Sequence, residues 1–453
     1  MRLTGKVAEI LMEKPIYKIT SPFRWFASFG AAGGLLLLIC SVLAMIWANS
    51  PYYEFYFEIL ETKLSFSIGS IGLSKGLILW INDALMAIFF FVVGLEIKRE
   101  FLVGELSQIK KALLPLIAAV GGMVVPALFY FWINPEGARA NGWGIPMATD
   151  IAFALGFLAL LGDRIPNSLK VFLTALAIVD DIGAVLVIGI FYTDTIVLIA
   201  LGLAVFFLIL LIVGNALGIR TPWFYLIVGI FLWIAFLKSG IHATVAGVLA
   251  AFTIPARTLF DRKEFVQESK NLLYFFENNE SNNKDMISSE QESAVNTLEV
   301  ACESVIPPLF RLEHSIFPWV TFAIMPIFAL ANAGVRLEKS LADALSDSIT
   351  MGIIIGLVLG KPIGIVFFSW LAVHFKLADM PSHSNWRQIL GAGFLGGIGF
   401  TMSIFIAGLA FKGELEFQAD AKIGILTGSL LSAFIGMALL SIKKKDLKTV
   451  SKV

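Results

Sequence analysis

Four charged side chains fall deep inside apolar stretches of this 453-residue chain: Asp150, Asp180, Asp181 and Lys361. A charge near the centre of a membrane-crossing helix costs roughly 2.5–3.5 kcal/mol on insertion scales, so such residues face a cavity or one another and mark a path for ions, protons or substrate. Lys361 could neutralise one Asp in a structural pair, but three carboxylates cannot all be balanced by one ammonium. Asp180-Asp181 is the most informative pair. Neighbours on a helix point about 100° apart, so one carboxylate can ligate a cation while the other pairs with an adjacent helix. Two such carboxylates titrate as a coupled unit. A site able to hold either a hard cation or protons, but not both stably, makes the two compete. Competition at one alternately exposed site gives exchange, which is the chemistry of a cation/proton antiporter.

These charges must be carried by elements that cross a bilayer. The chain is 58% hydrophobic and 15% charged, against about 45–50% and about 25% in a soluble domain, which indicates an all-α polytopic membrane protein. Its 34 basic and 34 acidic residues sum to zero, without the basic excess of a nucleic-acid binder. Cys40 and Cys302 offer neither a disulfide framework nor a metal cluster. A crossing helix needs about 20 mostly apolar residues. Twelve are expected, near 28–48, 77–97, 112–133, 144–162, 168–192, 195–217, 222–237, 239–256, 315–335, 350–374, 388–411 and 422–442. The first is long for a cleaved signal peptide and reads as a span. Basic residues in the short connections place the N-terminal segment 1–27 and the basic tail 443–453 on the cytoplasmic side.

Two connections carry further expectations. Residues 64–75 alternate apolar and polar around Gly69-Ser70, the pattern of a small extracytoplasmic hairpin, although a solvated loop fits as well. Residues 257–311 separate spans 1–8 (28–256) from spans 9–12 (312–442). This long cytoplasmic loop is rich in Asn, Ser and Glu around 276–293, a composition that need not fold, and reads as a tether.

Two spans are interrupted. Span four contains Pro146-Met147-Ala148-Thr149-Asp150, and span eleven contains Gly393, Gly396, Gly397 and Gly399 before Phe400-Thr401-Met402-Ser403. Broken backbone at membrane depth is tolerated only where it lines a cavity or is buried in protein. A pair of interrupted spans in corresponding halves points to a transporter's central site, here with spans 3–5 and 10–12 as inverted repeats crossing at mid-membrane. Close helix packing at small residues is the competing explanation for the glycines. Broken helices bring positive N-termini and negative C-termini to mid-membrane; Asp150 suits the first and Lys361 the second.

With these residues in place, the chain resembles the NhaA-type sodium/proton antiporter family over nearly its whole length. The resemblance is carried by Asn82-Asp83-Ala84-Leu85-Met86, Gly94-Leu95-Glu96-Ile97-Lys98-Arg99-Glu100 and Ala148-Thr149-Asp150-Ile151-Ala152-Phe153-Ala154-Leu155-Gly156. It continues through Ala175-Leu176-Ala177-Ile178-Val179-Asp180-Asp181, Lys238-Ser239-Gly240-Ile241-His242-Ala243-Thr244, Arg311-Leu312-Glu313-His314, Gly360-Lys361-Pro362 and Gly397-Ile398-Gly399-Phe400-Thr401-Met402-Ser403. The resemblance implies Asp181 as principal ligand of Na+ or Li+, Asp180 as its partner in cation and proton binding, and Lys361 as the competing counter-ion of Asp180. Thr149 and Asp150 would belong to the unwound crossing and to the cation- and proton-binding set, with Asp150 balancing helix ends. Glu96, Arg99, Glu100, Glu313 and His314 would form a pH-responsive cluster at the cytoplasmic mouth, for which ordinary salt bridging at the membrane edge is the plainer description. His242 would sit near the outer start of span eight, where a hydrogen-bonded structural histidine is the simpler reading, and Asp83 near the outer entrance of span two. The resemblance further implies electrogenic exchange of sodium or lithium for two protons, activation at alkaline pH, a multi-pass location in the bacterial inner membrane, no cofactor, and a homodimer.

Two features depart from the family pattern. The loop 257–311 is long and polar, and Phe317 stands where a histidine is expected after Arg311-Leu312-Glu313-His314. Among rivals, an intramembrane aspartyl protease needs a Gly-x-Gly-Asp motif; the nearest string, Gly397-Ile398-Gly399-Phe400, has no Asp. A symporter of an organic solute needs a roomier set of polar groups than this small ionic one.

Overall fold

The computed structural model describes residues 32–68, 71–193, 195–258, 261–279, 287–336 and 340–442. The segment 1–27, the turn Gly69-Ser70 and the tail 443–453 lie outside them. Nine described helices are long and apolar enough to cross a membrane, or up to eleven if each of two bent pairs counts as one span. The elements form an all-α polytopic membrane protein in two compact units. One contains residues 32–86, 103–193 and 321–442, and the other residues 87–102 and 195–320.

The first unit opens with α1 (Ala32–Ala48) and α2 (Tyr53–Glu61), which meet at 112°. Strands β1 (Lys63–Ile68) and β2 (Ile71–Gly76) then pair antiparallel, with Ile68 opposite Ile71 and Lys63 opposite Gly76. After them α3 (Leu77–Val103) begins, and it contributes to both units. The rest of the first unit is built on two helix triples. The first consists of α4 (Ile109–Ile133), a 3-10 segment Ala138–Met147 followed by α5 (Ile151–Leu160), and α6 (Asn167–Phe191).

In the second unit α7 (Leu198–Ala216) packs against α8 (Pro222–Ser239), and a short α9 (Thr244–Thr253) follows. The expected span over 239–256 is corrected here. Gly240 takes φ +89°, a conformation that ends α8, and only ten residues of helix remain after the turn. At 1.5 Å per residue these reach about 15 Å, half of a hydrocarbon core. The tether expected over 257–311 is also corrected. It carries two packed helices, α10 (Arg262–Asn278) and α11 (Ser289–Val305). A capping box joins Ser288 and Gln291 at the start of α11, and Gln291 Nε2 donates to the Phe276 carbonyl at 3.1 Å. Apolar positions spaced by three, four or seven residues, Phe265, Leu272 and Phe276 in α10 and Ala294, Leu298 and Ala301 in α11, supply the seam that bulk composition conceals.

α12 (Pro308–Asn332) passes from the second unit to the first. The second triple follows: α13 (Ser348–His374), α14 (Trp386–Gly396) bent by 47° into α15 (Phe400–Ala410), and α16 (Leu415–Ser441). Each triple thus has an interrupted middle member. Within the unit α4 lies along α13, and their backbones meet at two glycines: a Cβ on Gly121 would lie 2.4 Å from the Gly364 carbonyl oxygen. Small residues at such a crossing let membrane helices approach closely. One turn earlier α13 contains a π-helical turn, Gly356–Gly360, directly before Lys361. Gly356 and Gly360 seat this turn against Pro146 and Pro126.

Candidate cation and proton site

The site lies where the two interrupted members of the triples touch. The Asp150 backbone N–H donates to the Ile398 carbonyl at 2.6 Å, joining the gap 148–150 to the gap 397–399. Four half-helix ends meet there, and each has a partner. Asp150 serves both N-termini. Its Oδ1 accepts from the Phe153 amide at 3.1 Å, capping α5. Its Oδ2 accepts from the Thr401 amide at 3.1 Å and from the Thr401 hydroxyl, in the first turn of α15. A carboxylate suits the positive end of a helix, and here one carboxylate serves two. At the negative ends, the Met147 carbonyl, last of the 3-10 segment, accepts from Lys361 Nζ. The Gly396 carbonyl, last of α14, lies 2.7 Å from Thr149 Oγ1.

Lys361 and Asp180 form a buried ion pair, Nζ to Oδ2 at 2.7 Å, with both side chains wholly shielded from solvent. Asp180 Oδ2 also accepts from the Thr149 hydroxyl at 2.6 Å. Among the described residues its other oxygen, Oδ1, has no hydrogen-bond partner, an expensive state for a buried carboxylate oxygen and one that an incoming cation or proton would relieve. Asp181 is buried one residue further on, close enough to act electrostatically on Lys361. With all four groups ionised, three negative charges face one positive charge. Asp180, Asp181 and Thr149 offer oxygen donors of the kind hard cations prefer.

The structure therefore brings Thr149, Asp150, Asp180, Asp181 and Lys361 together in one unit. Asp83 does not join them; its carboxylate accepts from Lys75 Nζ at 2.6 Å, in the strand β2 beside it. In the second unit Arg99 gathers Glu313, Glu100 at 3.0 Å and Glu96 at 3.8 Å. His314 follows Glu313 but is exposed, with Nδ1 3.0 Å from the Phe310 carbonyl oxygen of its own helix. His242 Nδ1 lies 2.8 Å from Thr244 Oγ1 at the start of α9. Phe317 is exposed. Among the described residues no group of three or more His, Cys, Asp or Glu side chains is placed to hold a metal ion.

Thr401 is the site residue that sequence reasoning left unassigned. Its signal was local: a threonine just after the glycine break, at the start of a helix where amides need acceptors. Ser403 Oγ, which donates to the Ile145 carbonyl at 2.7 Å, carries the same kind of signal. The Met147 and Gly396 carbonyls belong to the backbone and leave none.

Interrupted helices crossing inside the bilayer, with ionisable groups in the gap, define a secondary ion transporter. A family model described as Na+/H+ antiporter 1 matches residues 24–440, and the chain belongs to that family: it is a sodium/proton antiporter and not an enzyme. Relatives named Na(+)/H(+) antiporter NhaA agree along almost their full lengths. One from Koribacter versatilis is 50% identical, covering 94% of this chain and 92% of its own. One from Oleidesulfovibrio alaskensis is 48% identical over 95% of each, and one from Sulfurimonas denitrificans is 46% identical over 94% of this chain and 96% of its own.

Proposed function

We propose that the protein carries Na+ or Li+ outward in exchange for protons at Asp180 and Asp181, with Asp181 as the principal cation ligand. The observation that carries this reading is the Asp180 carboxylate held by Lys361 and Thr149 in the gap between broken helices. An internal ammonium occupies the position an entering cation needs. A cation that takes the carboxylates displaces Lys361, and protonation of the carboxylates expels the cation, so the two substrates exclude one another. One cation moving outward against two protons inward leaves one net charge crossing per cycle, and the exchange is electrogenic. Asp150 holds the crossing together and, with Thr149, completes the cation- and proton-binding set.

The Arg99 cluster with Glu96, Glu100, Glu313 and His314 supports activation at alkaline pH, since the charge of its carboxylates sets how strongly Arg99 is held. His242 and Asp83 belong to the same pH-responsive set. The basic connections support cytoplasmic termini, an extracytoplasmic hairpin and a bacterial inner-membrane location. The hairpin edge supports a homodimer, because an open strand edge can pair with a second copy. No cofactor is required. The role of the exchange is sodium and pH homeostasis.

The test is purified protein in liposomes with a proton gradient reported by a dye. Addition of sodium or lithium dissipates the gradient; no response to either across pH 6.5–9 would overturn the reading.

A further inference from the structure

Behind the ion site, in the same unit, α4, α6 and the 3-10 segment enclose a groove of about 610 Å³ lined entirely by apolar residues. Its outer walls, Val124, Leu128 and Phe131 on α4 and Leu186, Ile190 and Phe191 on α6, are exposed on membrane-crossing helices, so the groove opens onto the bilayer. From Met123 to Phe131, and from Gly183 to Phe191, it runs eight residues along each helix, or about 12 Å. That is close to the depth of one leaflet, half of a core about 30 Å thick. At its far end Trp143 packs edge-on against Phe191 with ring centroids 5.1 Å apart, and tryptophan collects where hydrocarbon meets headgroups.

The inner end lies next to the ion site. Met147, in the groove, carries the carbonyl that holds Lys361. Gly183 is two residues past Asp181, and the Met123 sulfur packs so tightly on it that a Cβ there would lie 2.1 Å away. A Cβ on Gly122 would lie 3.8 Å from Lys361 Cε. Gly122 and Met123 therefore stand between groove and ion pair, with the flexible Met123 side chain packed on Gly183.

We propose that this groove binds one acyl chain of a bilayer phospholipid, its carbonyl end level with Trp143 and its tail against Met123 and Gly183, so that lipid forms the back wall of the ion site. Water is the wrong occupant because apolar cavities stay dry. An aqueous ion path would need polar lining.

The test uses the full chain in liposomes doped with a phosphatidylcholine carrying a diazirine near the end of one acyl chain. After irradiation, mass spectrometry of peptides should show adducts at 123–131 and 183–191 enriched several-fold over the exposed face of α7. Ala127→Trp, which fills the groove, should abolish that enrichment. In a second arm, Ala127→Cys in a background with Cys40→Ser and Cys302→Ser should resist a charged sulfonate thiol reagent. Labelling no higher than on α7, labelling that survives Ala127→Trp, or rapid modification of the new thiol would each overturn the proposal. None of these readouts depends on transport, so failure here is separable from failure of the exchange reaction.

Discussion

If one carboxylate holds the crossing together, removing it should loosen two helices at once. Asp150 accepts from the Phe153 amide and the Thr401 amide, each at 3.1 Å, and from the Thr401 hydroxyl. Asp150→Ala leaves both amides buried without an acceptor. An orphaned buried donor costs about 1–3 kcal/mol, so the two cost about 2–6 kcal/mol. Loss of the anion at two helix N-termini adds roughly 0.3–1 kcal/mol at each. Relief from burying a charge offsets part of this, since an isolated desolvated carboxylate costs several kcal/mol. Asp150→Asn separates the contributions. It keeps the shape and loses the charge, but its single oxygen serves one amide while its NH2 faces the other donor, for a loss of about 1–3 kcal/mol. Thermal unfolding in detergent should therefore rank wild type above Asp150→Asn and Asp150→Asn above Asp150→Ala. Thr401→Val removes the hydroxyl donor, and combined with Asp150→Ala it should show a coupling energy of about 0.5 kcal/mol or more. Equal melting of wild type and Asp150→Ala, or strict additivity in the double variant, would refute the bridging role.

Asp180→Asn and Asp181→Asn should each abolish sodium-driven dissipation of a proton gradient while purified protein still melts cooperatively; wild-type exchange by either variant removes that residue from the site. Lys361→Met strands the Asp180 carboxylate in the interior, a loss of about 3–5 kcal/mol for a broken buried pair. Adding Asp180→Asn should recover part of that stability in the same melting assay, and a double variant less stable than Lys361→Met would contradict the pairing. Arg99→Ala leaves Glu96, Glu100 and Glu313 without their shared cation. Repulsion among carboxylates grows as they ionise, so this variant should lose more stability at pH 8.5 than at pH 6, and transport onset should move; an unchanged dye response from pH 6.5 to 9 argues for a purely structural cluster. Deleting 64–75 should convert a dimer to a monomer in light scattering, and an unchanged mass would place the interface elsewhere.

Asp150, Asp180, Asp181 and Lys361 were legible because charge stands out in an apolar run wherever that run folds. The two breaks were legible because Pro146 and the glycines around 397 interrupt otherwise continuous helices. What each charge bonds was less so. Asp150 could be assigned to a positive helix end, but its service to a second helix 250 residues away depends on the crossing. Thr149 stands beside Asp150 in sequence, yet its acceptors, Asp180 and the Gly396 carbonyl, come from α6 and from the other triple. Hydropathy located the eighth span but could not see that Gly240 bends the backbone and leaves only ten residues of helix. The loop 257–311 was misread because averaging over 276–293 weighs surface residues most heavily. The seam of its two helices lies in a few apolar positions that only a helical period picks out.

The π-helical turn before Lys361 sets the phase of everything that follows it on α13. A π turn accommodates one more residue than an α-helix would, so the position of the ammonium depends on how many residues precede it as much as on which they are. Removing one residue between Gly356 and Gly360 could be absorbed as the turn relaxes to an ordinary helix, whereas adding one there would keep every functional side chain in the chain and could not be absorbed in that way. The π turn already holds its extra residue, so a further one would rotate Lys361 by about 100° with a shift of about 1.5 Å along the axis. An ion pair 2.7 Å long does not survive such a displacement. For this transporter the spacing is itself part of the site: a silent-looking insertion in a glycine-rich stretch would be equivalent to losing the lysine.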